Sequence, residues 1–336
     1  MPAVSVIMLA WNSGAHLDEA VGSILGQTMS DLEVVLVDNG TTDGSVDELL
    51  RRRQDARLHV FRQGKNLGIA LGTNLGISQA RGSWIAIMDC DDRAHPMRLE
   101  MELSAATADP SLDVITTGAV WMDETGRTHG CFPVFYEPKE ISAYVPFHCP
   151  ILHPTVLARA GVFAAVNYRP EAELACDYDW VSRVVERFKI GCVSLPLLHY
   201  RKHGGSASIN RTAYHQAMIC AVRLAIARRR AGKEEDFGGL CADATRWSGS
   251  PGEMNEIYVH FAQRARADGF DLLAAFHAAL ACRVCPTAGN YFRFIRYLCT
   301  AVRRDRGAWR EALAGAGKGP FWVMLKRAGF PPFPRY

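Results

Sequence analysis

The sequence predicts an α/β protein with a mostly parallel central sheet flanked by helices, followed by a mainly helical C-terminal extension. Through the first hundred residues, short apolar runs alternate with segments whose apolar residues share one helical face. From about residue 210 onward the periodicity is helical throughout. Because strand–helix alternation builds parallel sheets with right-handed crossovers, we expect one domain at 1–210 and a helical region at 211–336.

Four compact apolar runs predict buried parallel strands at 4–9, 33–37, 58–61 and 84–88. The segments between them predict helices at about 16–26, 45–53 and 68–80. Beyond residue 110 the pattern changes, and residues 113–132 predict two antiparallel strands around a turn at Asp123–Gly126. A helix at 177–188 follows, and then 190–210 predicts a strand that leads into a glycine- and serine-rich loop, whereas 153–161 fits no single type of element.

The composition is that of a soluble globular protein, with 49% hydrophobic and 22% charged residues in a chain of 336. The first residues lack a basic leader followed by a long apolar stretch, and no window reaches the ~18 apolar residues of a spanning helix. We therefore expect a cytoplasmic protein whose ten cysteines are reduced and mostly buried. No nucleic-acid partner is expected.

Polar residues follow every strand predicted in the first hundred residues. They are Asn12, Asp38, Asn39, Asn66 and the run Asp89–Asp92. In parallel α/β sheets, ligands bind beyond the carboxyl ends of the strands. We therefore expect the active site along this edge of the sheet.

Three carboxylates stand together where the fourth strand ends, in "IAIMDCDDRAHPMRLE" at 85–100. Acids near a helix start complement its dipole, and Pro96 suits a first helical turn, which would account for Asp92. That account gives no reason for Asp89 and Asp91 at the exit of the strand. Carboxylates grouped at this place predict a bound cation.

The sequence lacks three common motifs, of which two bind phosphate groups and one carries a catalytic nucleophile. The first strand–helix turn reads "AWNSGAH" and lacks GxGxxG, which argues against a nicotinamide-dependent oxidoreductase. "GAGKGP" near the C-terminus has no Ser or Thr after its lysine, so it is not a Walker loop. No GxSxG nucleophile elbow occurs. A nucleotide bound at this edge would therefore have its phosphates neutralised by a metal rather than by a glycine loop.

Six blocks in order resemble the family 2 glycosyltransferases, which are inverting enzymes of the GT-A fold. The blocks are "VSVIMLAWNSGAHLDEAVGSILGQT", "LEVVLVDNGTTDGS", "KNLGIALGTNLGISQARGSWIAIMDCDDRAHPMRLE", "HPTVLAR", "CDYDWVSRV" and "YRKHGGSAS". The resemblance covers roughly residues 3–210 and does not extend to the C-terminal third. It implies a GT-A catalytic domain that transfers a sugar from a nucleotide diphosphate donor.

The resemblance also implies a role for each matching residue. Residues Ala10 to Asn12 and Asp38 would contact the nucleotide base, with Asn66 near the same pocket. Asp89 would face the ribose and diphosphate, and Asp91 would ligate the metal, as the two acids of the family's DxD motif. His203 matches a histidine that some members place near the metal or diphosphate. His153 falls in the "HPT" block, whose role looks structural.

Asp177 matches the aspartate that serves the family as general base. Asp179, two residues later, is a rival for that role, and either acid could instead complement the helix dipole. The residue before Asp177 is Cys176, where the family usually has a glutamate. A degenerate protein that binds a nucleotide-sugar or glycan without catalysis is therefore the alternative function.

Sugar transfer explains why these residue types are needed. The leaving nucleotide diphosphate carries growing negative charge, which a hard cation such as Mn²⁺ or Mg²⁺ on carboxylate oxygens would neutralise. Inversion needs a carboxylate that takes the proton of the attacking acceptor hydroxyl. By resemblance we expect a UDP-sugar donor, with guanosine and thymidine diphosphate sugars as alternatives. The acceptor would be a glycan or a lipid-linked molecule of surface polysaccharide synthesis.

The C-terminal tail is strongly basic. Residues 283–336 contain 11 Lys and Arg against 2 Asp and Glu, interleaved with aromatic residues. One interpretation is a helical subdomain that packs its rings and solvates its charges. The other is a peripheral contact with an anionic membrane surface at the inner face of the membrane, which would suit a lipid-linked acceptor.

Overall fold

A mixed nine-stranded sheet forms the centre of the N-terminal part of the chain. The computed structural model describes residues 1–132, 141–142, 144–204, 213–247, 254–285 and 287–304. The chain divides into two units, Met1–Val145 with Cys149–Asn210, and Pro146–His148 with Arg211–Tyr336. Residues 146–148 fall in the second unit, where the ring of Phe147 packs 5.6 Å from that of Phe276.

The strands of the first unit run in the order β3-β2-β1-β4-β8-β6-β9-β5, with β7 paired to β6. Their bounds are β1 Val4–Ala10, β2 Leu32–Asp38, β3 Leu58–Arg62, β4 Trp84–Met88, β5 Arg93–Ala94, β6 Val114–Met122, β7 Thr128–Phe132, β8 Leu157–Arg159 and β9 Ile190–Arg201. The pairs β1–β2, β1–β4, β2–β3 and β6–β9 are parallel. The pairs β4–β8, β5–β9, β6–β7 and β6–β8 are antiparallel.

Among the residues that the structure describes, α-helices accompany this sheet. They are α1 His16–Leu25, α2 Ser45–Arg52, α3 Ile69–Gln79, α4 Arg98–Ala108, α5 Ala160–Ala165 and α6 Cys176–Val184. Short 3₁₀ turns lie at His153–Thr155 and Pro170–Ala175. All seven residues of β2 are buried, as expected for a central strand covered on both faces.

The register of the parallel strands aligns the carboxyl ends of β1, β2, β3 and β4 along one edge of the sheet. Ala10 is the partner of Asp38 in the β1–β2 pair, and Asp38 is the partner of Arg62 in β2–β3. Met8 is the partner of Met88 in β1–β4, so the residues just after β4 lie beside the last residues of β1. The loops that follow all four strands therefore meet at one edge.

The second unit is helical in the part that the structure describes. Its helices are α7 Ala213–Arg230, α8 Phe237–Ala244, α9 Met254–Ala267, α10 Asp271–Val284 and α11 Ala288–Arg304. Most residues of α7 are buried, which is typical of a helix surrounded by other helices. Helix α10 packs against both α9 and α11. Among the described residues, no helix is long and apolar enough to span a bilayer.

The predicted α/β fold with a helical C-terminal region is confirmed. The four parallel strands and the β6–β7 hairpin lie within about a residue or two of their predicted positions. Strands β5 and β8 were not predicted, and the segment 153–161 contains a 3₁₀ turn, β8 and the start of α5. The sheet is consequently more mixed than the N-terminal pattern suggests, because β8 inserts antiparallel between β4 and β6.

Candidate active site

The loops after β1 and β2 are joined by backbone hydrogen bonds. The buried Ala10 carbonyl accepts from Asn39 N at 2.8 Å and from Thr41 Oγ1 at 3.3 Å. Asn12 has a φ of 50°, and its Oδ1 accepts from Thr42 N at 2.9 Å. The loop predicted to meet the base is therefore fixed against its neighbour, and the ring of Trp11 stands 56% exposed within it.

The loops after β2 and β3 are also joined. Asn39 Nδ2 donates to Asn66 Oδ1 at 3.0 Å, and Leu67 N donates to Asn39 Oδ1 at 2.9 Å. Gly40 has a φ of +77°, and a Cβ there would lie 2.6 Å from the carbonyl carbon of Lys65. Only glycine lets the two backbones approach this closely.

Asp38 is buried at the end of β2, where its Oδ1 accepts from Thr41 N at 2.9 Å. Its Oδ2 lies 4.0 Å from Nε of Arg62, a weak ion pair with an exposed arginine. Asn66 is exposed at the same edge. The structure thus brings together four of the five residues predicted to bind the nucleotide-sugar, namely Ala10, Asn12, Asp38 and Asn66. The fifth, Asp89, belongs to the aspartate cluster.

Asp89, Asp91 and Asp92 bring one carboxylate oxygen each within 4.8 Å of one another. Asp92 is 1% exposed; its Oδ1 accepts from Arg201 N at 2.7 Å, whereas its Oδ2 has no hydrogen-bond partner. Burial and the charges of Asp91 and Asp177 raise the pKa of Asp89 to about 7. Burial and the charges of Asp89 and Asp91 also raise the pKa of Asp92.

These residues fit a hard divalent cation. Carboxylates in this arrangement repel one another, and the unpartnered Asp92 oxygen is a buried acceptor without a donor. A cation held by oxygen ligands would relieve both conditions. Sequence reasoning gave Asp92 to the helix start, but its side chain belongs to the cluster.

His203 contacts this cluster through Asp91. Its Nε2 lies 2.8 Å from Asp91 Oδ2. Within the part of the chain that the structure describes, the group able to hold a metal consists of the three aspartates and does not include His203. In this arrangement His203 contacts the carboxylate of Asp91 beside the cluster.

Arg201 was missed by sequence reasoning. It is buried at the end of β9, and its Nε donates to the Asp91 carbonyl at 2.7 Å. Its guanidinium also bonds the carbonyls of Asp123 and Glu124 and pairs with Glu19 of α1. The available signal was an arginine two residues before the histidine of the quoted "YRKHGGSAS" block.

His16 is a second histidine that the structure brings to this place. It begins α1, and its ring lies 5.6 Å from that of His203. Burial, Arg201 and His203 lower the pKa of His16. It therefore presents a neutral imidazole beside the Asp91–His203 pair, whereas the sequence gave it no role.

Asp177 and Asp179 occupy different environments on α6. Asp177 is partly exposed, its Oδ1 accepts from Tyr178 N at 2.7 Å, and its charge acts on Asp89 across the site. Asp179 is fully buried, with both oxygens bound by the guanidinium groups of Arg169 and Arg183. Asp179 is therefore neutralised inside the fold, whereas Asp177 remains partly exposed. Cys176 is buried at the start of the helix.

His153 and Tyr168 lie near the residues of the site. Tyr168 Oη is 2.6 Å from His153 Nε2, and the rings meet edge to face at 5.3 Å. The charge of Asp177 acts on both residues, and that of Asp89 acts on Tyr168. The "HPT" block, expected to be structural, thus brings its histidine to the site.

Comparisons with known proteins agree with this architecture. Residues 5–158 match the family described as Glycosyl transferase family 2. An uncharacterised glycosyltransferase of Methanocaldococcus jannaschii is 29% identical over 205 residues, which cover 60% of this chain and 71% of the relative.

Two similar solved structures carry bound donors. One is S. aureus TarS 1–349 in complex with UDP-GlcNAc, 18% identical, with a TM-score of 0.59 over 88% of this chain and 89% of TarS 1–349. The other is a mannosyltransferase of Pyrobaculum calidifontis in complex with GDP-Man and Mn²⁺, 16% identical, with a TM-score of 0.52 over 91% of this chain and 88% of the other. At these identities the two structures show the shared fold. The family match over residues 5–158 and the glycosyltransferase relatives show that the chain contains a family 2 glycosyltransferase domain and is an enzyme of that class.

Proposed function

We propose that this protein is a metal-dependent, inverting glycosyltransferase that moves a sugar from a nucleotide diphosphate donor, a UDP-sugar first of all, to an acceptor hydroxyl. The observation that carries the proposal is the cluster of Asp89, Asp91 and Asp92 at the same sheet edge as Asp177. An inverting transfer needs these two features on opposite sides of the sugar, one at the leaving group and one at the attacking hydroxyl.

The donor nucleotide would lie along the loops after β1, β2 and β3. Ala10, Asn12, Asp38 and Asn66 line this stretch, and the hydrogen bonds between the loops hold it in shape before any ligand binds. Preformed pockets bind more tightly because less ordering is needed on association. Asp89 would face the ribose and diphosphate. UDP, UDP-GlcNAc and GDP-Man are bound by the two structural neighbours, which supports a donor of this class.

Asp91, with Asp89 and Asp92 beside it, would hold Mn²⁺ or Mg²⁺. When bound, such an ion would neutralise the charge that develops on the leaving diphosphate. His203 holds Asp91 by one oxygen, and Arg201 holds its carbonyl, so the loop after β4 keeps its position. Asp177 would take the proton of the acceptor hydroxyl as general base. The buried pair of Asp179 with Arg169, which lies outside α6, ties this helix to the preceding segment.

The acceptor is proposed to be a glycan or a lipid-linked molecule of surface polysaccharide synthesis, with the protein cytoplasmic and peripheral at the inner face of the membrane. The charge and an exposed ring of the second unit support the proposed contact with a membrane. Residues 272–304 contain five arginines and no acidic residue, and Phe292 of α11 is 70% exposed. Phe294 and Tyr297 are buried, so only part of the aromatic set faces outward. Residues 305–336 of the basic tail lie outside the described residues.

A donor panel tests the proposal. Unfolding would be followed with UDP, UDP-GlcNAc, GDP-Man and NAD, each with Mn²⁺ and with EDTA. A donor at 100 times its dissociation constant should stabilise the protein by about 2.7 kcal/mol, and EDTA should abolish this shift. Proton NMR of the first product formed should show the anomeric configuration inverted. Metal-dependent binding without hydrolysis or transfer would favour the alternative of a non-catalytic binding protein.

A further inference from the structure

The His153 turn is tied to the strand that carries the aspartate cluster. Ile87 N donates to the Val156 carbonyl at 2.9 Å, two residues before Asp89. Strand β8 runs antiparallel to β4 with Ala86 opposite Leu157, so the residues that precede β8 pass beside the end of β4. His153 therefore starts a turn that flanks the position of the donor diphosphate.

Tyr168 is fixed relative to the helix that carries Asp177. Its backbone forms a reciprocal pair with Asn74 of α3, with Nδ2 to the Tyr168 carbonyl at 2.8 Å and Tyr168 N to Oδ1 at 3.1 Å. Its ring stacks on Trp180 of α6 at 5.5 Å, and Trp180 Nε1 donates to the Val166 carbonyl. Tyr168 is 1% exposed, so its hydroxyl has little freedom to move.

The hydrogen bond between the two side chains fixes the tautomer of the imidazole. Burial raises the pKa of Tyr168 and lowers the pKa of His153, against the opposing charge of Asp177, so both groups are neutral near pH 7. If Nε2 donated, the phenolic proton of Tyr168, a residue only 1% exposed, would have no acceptor among the described residues, whereas the partly exposed His153 can present its remaining ring proton to a ligand or to water. The hydroxyl therefore donates to Nε2, and the ring proton of His153 resides on Nδ1.

This Nδ1–H has no partner among the described residues, and it belongs to a ring that the charge of Asp177 reaches and that contacts Tyr168, on which the charge of Asp89 also acts. In the proposed inverting transfer the sugar lies between the metal at the aspartate cluster and the base Asp177, beside this ring. We infer that His153 Nδ1 donates a hydrogen bond to a hydroxyl oxygen of the transferred sugar, and that Tyr168 positions it. The inference rests on the proposed function and deepens it, because it makes His153 a determinant of which pyranose the enzyme accepts.

The size of the effect follows from the chemistry of the contact. A neutral hydrogen bond contributes about 1 kcal/mol, which corresponds to a loss of roughly five- to tenfold in affinity when it is removed. A donor enclosed in a site discriminates further against a sugar whose hydroxyl points the other way, because the donor is then left unpaired. Sugar preference should therefore change more than nucleotide affinity does.

The test compares three variants of the full chain with the native protein. His153→Phe keeps a ring and removes the donor, Tyr168→Phe keeps the stacking on Trp180 and removes the hydroxyl, and His153→Asn offers an amide donor near the position of Nδ1. His129→Gln, at an exposed histidine of β7, is the matched control. Dissociation constants with Mn²⁺ would be measured for UDP, UDP-glucose, UDP-galactose, UDP-GlcNAc, GDP and GDP-mannose.

We expect His153→Phe and Tyr168→Phe to bind the bare nucleotide within twofold of the native protein. Both should bind the preferred nucleotide-sugar about tenfold more weakly, with the ratio between epimers falling toward one. His153→Asn should recover part of the preference, and the control should be unchanged. An unaltered epimer ratio in His153→Phe would overturn the inference, as would equal losses for bare nucleotide and nucleotide-sugar. Native protein that binds no nucleotide-sugar would instead overturn the proposed function.

Discussion

The Nε2 atom of His203 lies 2.8 Å from Oδ2 of Asp91, so the loop after β9 holds the carboxylate that follows β4. From the same strand, Arg201 Nε reaches the Asp91 carbonyl at 2.7 Å and Arg201 N reaches Asp92 Oδ1. The C-terminal end of β9 thus fixes both the backbone and the side chains of the loop that carries Asp91 and Asp92. One Asp91 oxygen remains for a cation, and its direction is set before the cation arrives.

Replacing His203 by alanine should therefore weaken metal binding without unfolding the protein. Loss of a residue that orients a metal ligand typically costs 10- to 100-fold in metal affinity or activity. Titration of Mn²⁺ followed by electron paramagnetic resonance would measure the dissociation constant directly. His129→Ala, on the exposed face of β7, should bind Mn²⁺ as the native protein does. Equal affinity in His203→Ala and the control would mean that the Asp91 contact has no role in the metal site.

Asp91→Asn removes a charged oxygen ligand while keeping the shape of the side chain. We expect transfer to fall by about 10²-fold or more, because the developing diphosphate charge loses its counter-ion. The melting temperature should stay close to that of the native protein, since Asp91 is only partly buried. Asp31→Asn, at an exposed position before β2, is the matched control. Native activity that persists in excess EDTA would contradict metal dependence altogether.

Asp177→Asn should lower transfer by about 10²–10⁴-fold while leaving donor and Mn²⁺ affinity near normal, as expected for loss of a general base. Single-turnover rates together with donor dissociation constants separate these two effects. If donor affinity fell as well, Asp177 would belong to the nucleotide side of the site.

Asp179→Asn should act on stability instead. It removes the charge that two guanidinium groups share in a buried place. Breaking a buried ion pair on one side costs about 3–5 kcal/mol, which should lower the melting temperature by about 6–20 °C for a unit of this size. Thermal unfolding by circular dichroism measures this. A normal melting temperature with lost activity would return the role of base to Asp179.

Much of the donor side could be predicted from the sequence because buried parallel strands leave a plain signal. Apolar runs such as 33–37 mark central strands, and the polar residues after them must meet at one edge. The choice between Asp177 and Asp179 could not be made, because two residues of spacing do not distinguish a buried acid from an exposed one. Likewise, Arg201 and the His153–Tyr168 contact depend on pairings between distant segments. Strands as short as β5, with two residues, have no periodicity to detect.

Gly40→Ala should damage the nucleotide pocket. An added Cβ would lie 2.6 Å from the Lys65 carbonyl carbon at a φ of +77°, so the loops after β2 and β3 would have to separate. Forcing a side chain into that backbone conformation costs about 1–3 kcal/mol. UDP affinity should fall together with stability, measured by calorimetry and thermal unfolding. Gly64→Ala is the matched control, because a Cβ there meets nothing within 4 Å and should leave both quantities unchanged.

Helix α11 carries several of the arginines that we expect to contact a membrane surface. If cations and exposed rings bring the protein to a membrane surface, it should sediment with vesicles containing about 30% phosphatidylserine and not with pure phosphatidylcholine. Each arginine near an anionic surface contributes about 1 kcal/mol, an effect that salt screens. Replacing Arg293 and Arg296 by glutamate should therefore reduce the bound fraction severalfold. The same charge change at Arg51 and Arg52 of α2, both strongly exposed, should have little effect. Equal sedimentation with both kinds of vesicle, or equal loss in the two double variants, would instead favour a helical region that packs its rings and solvates its charges.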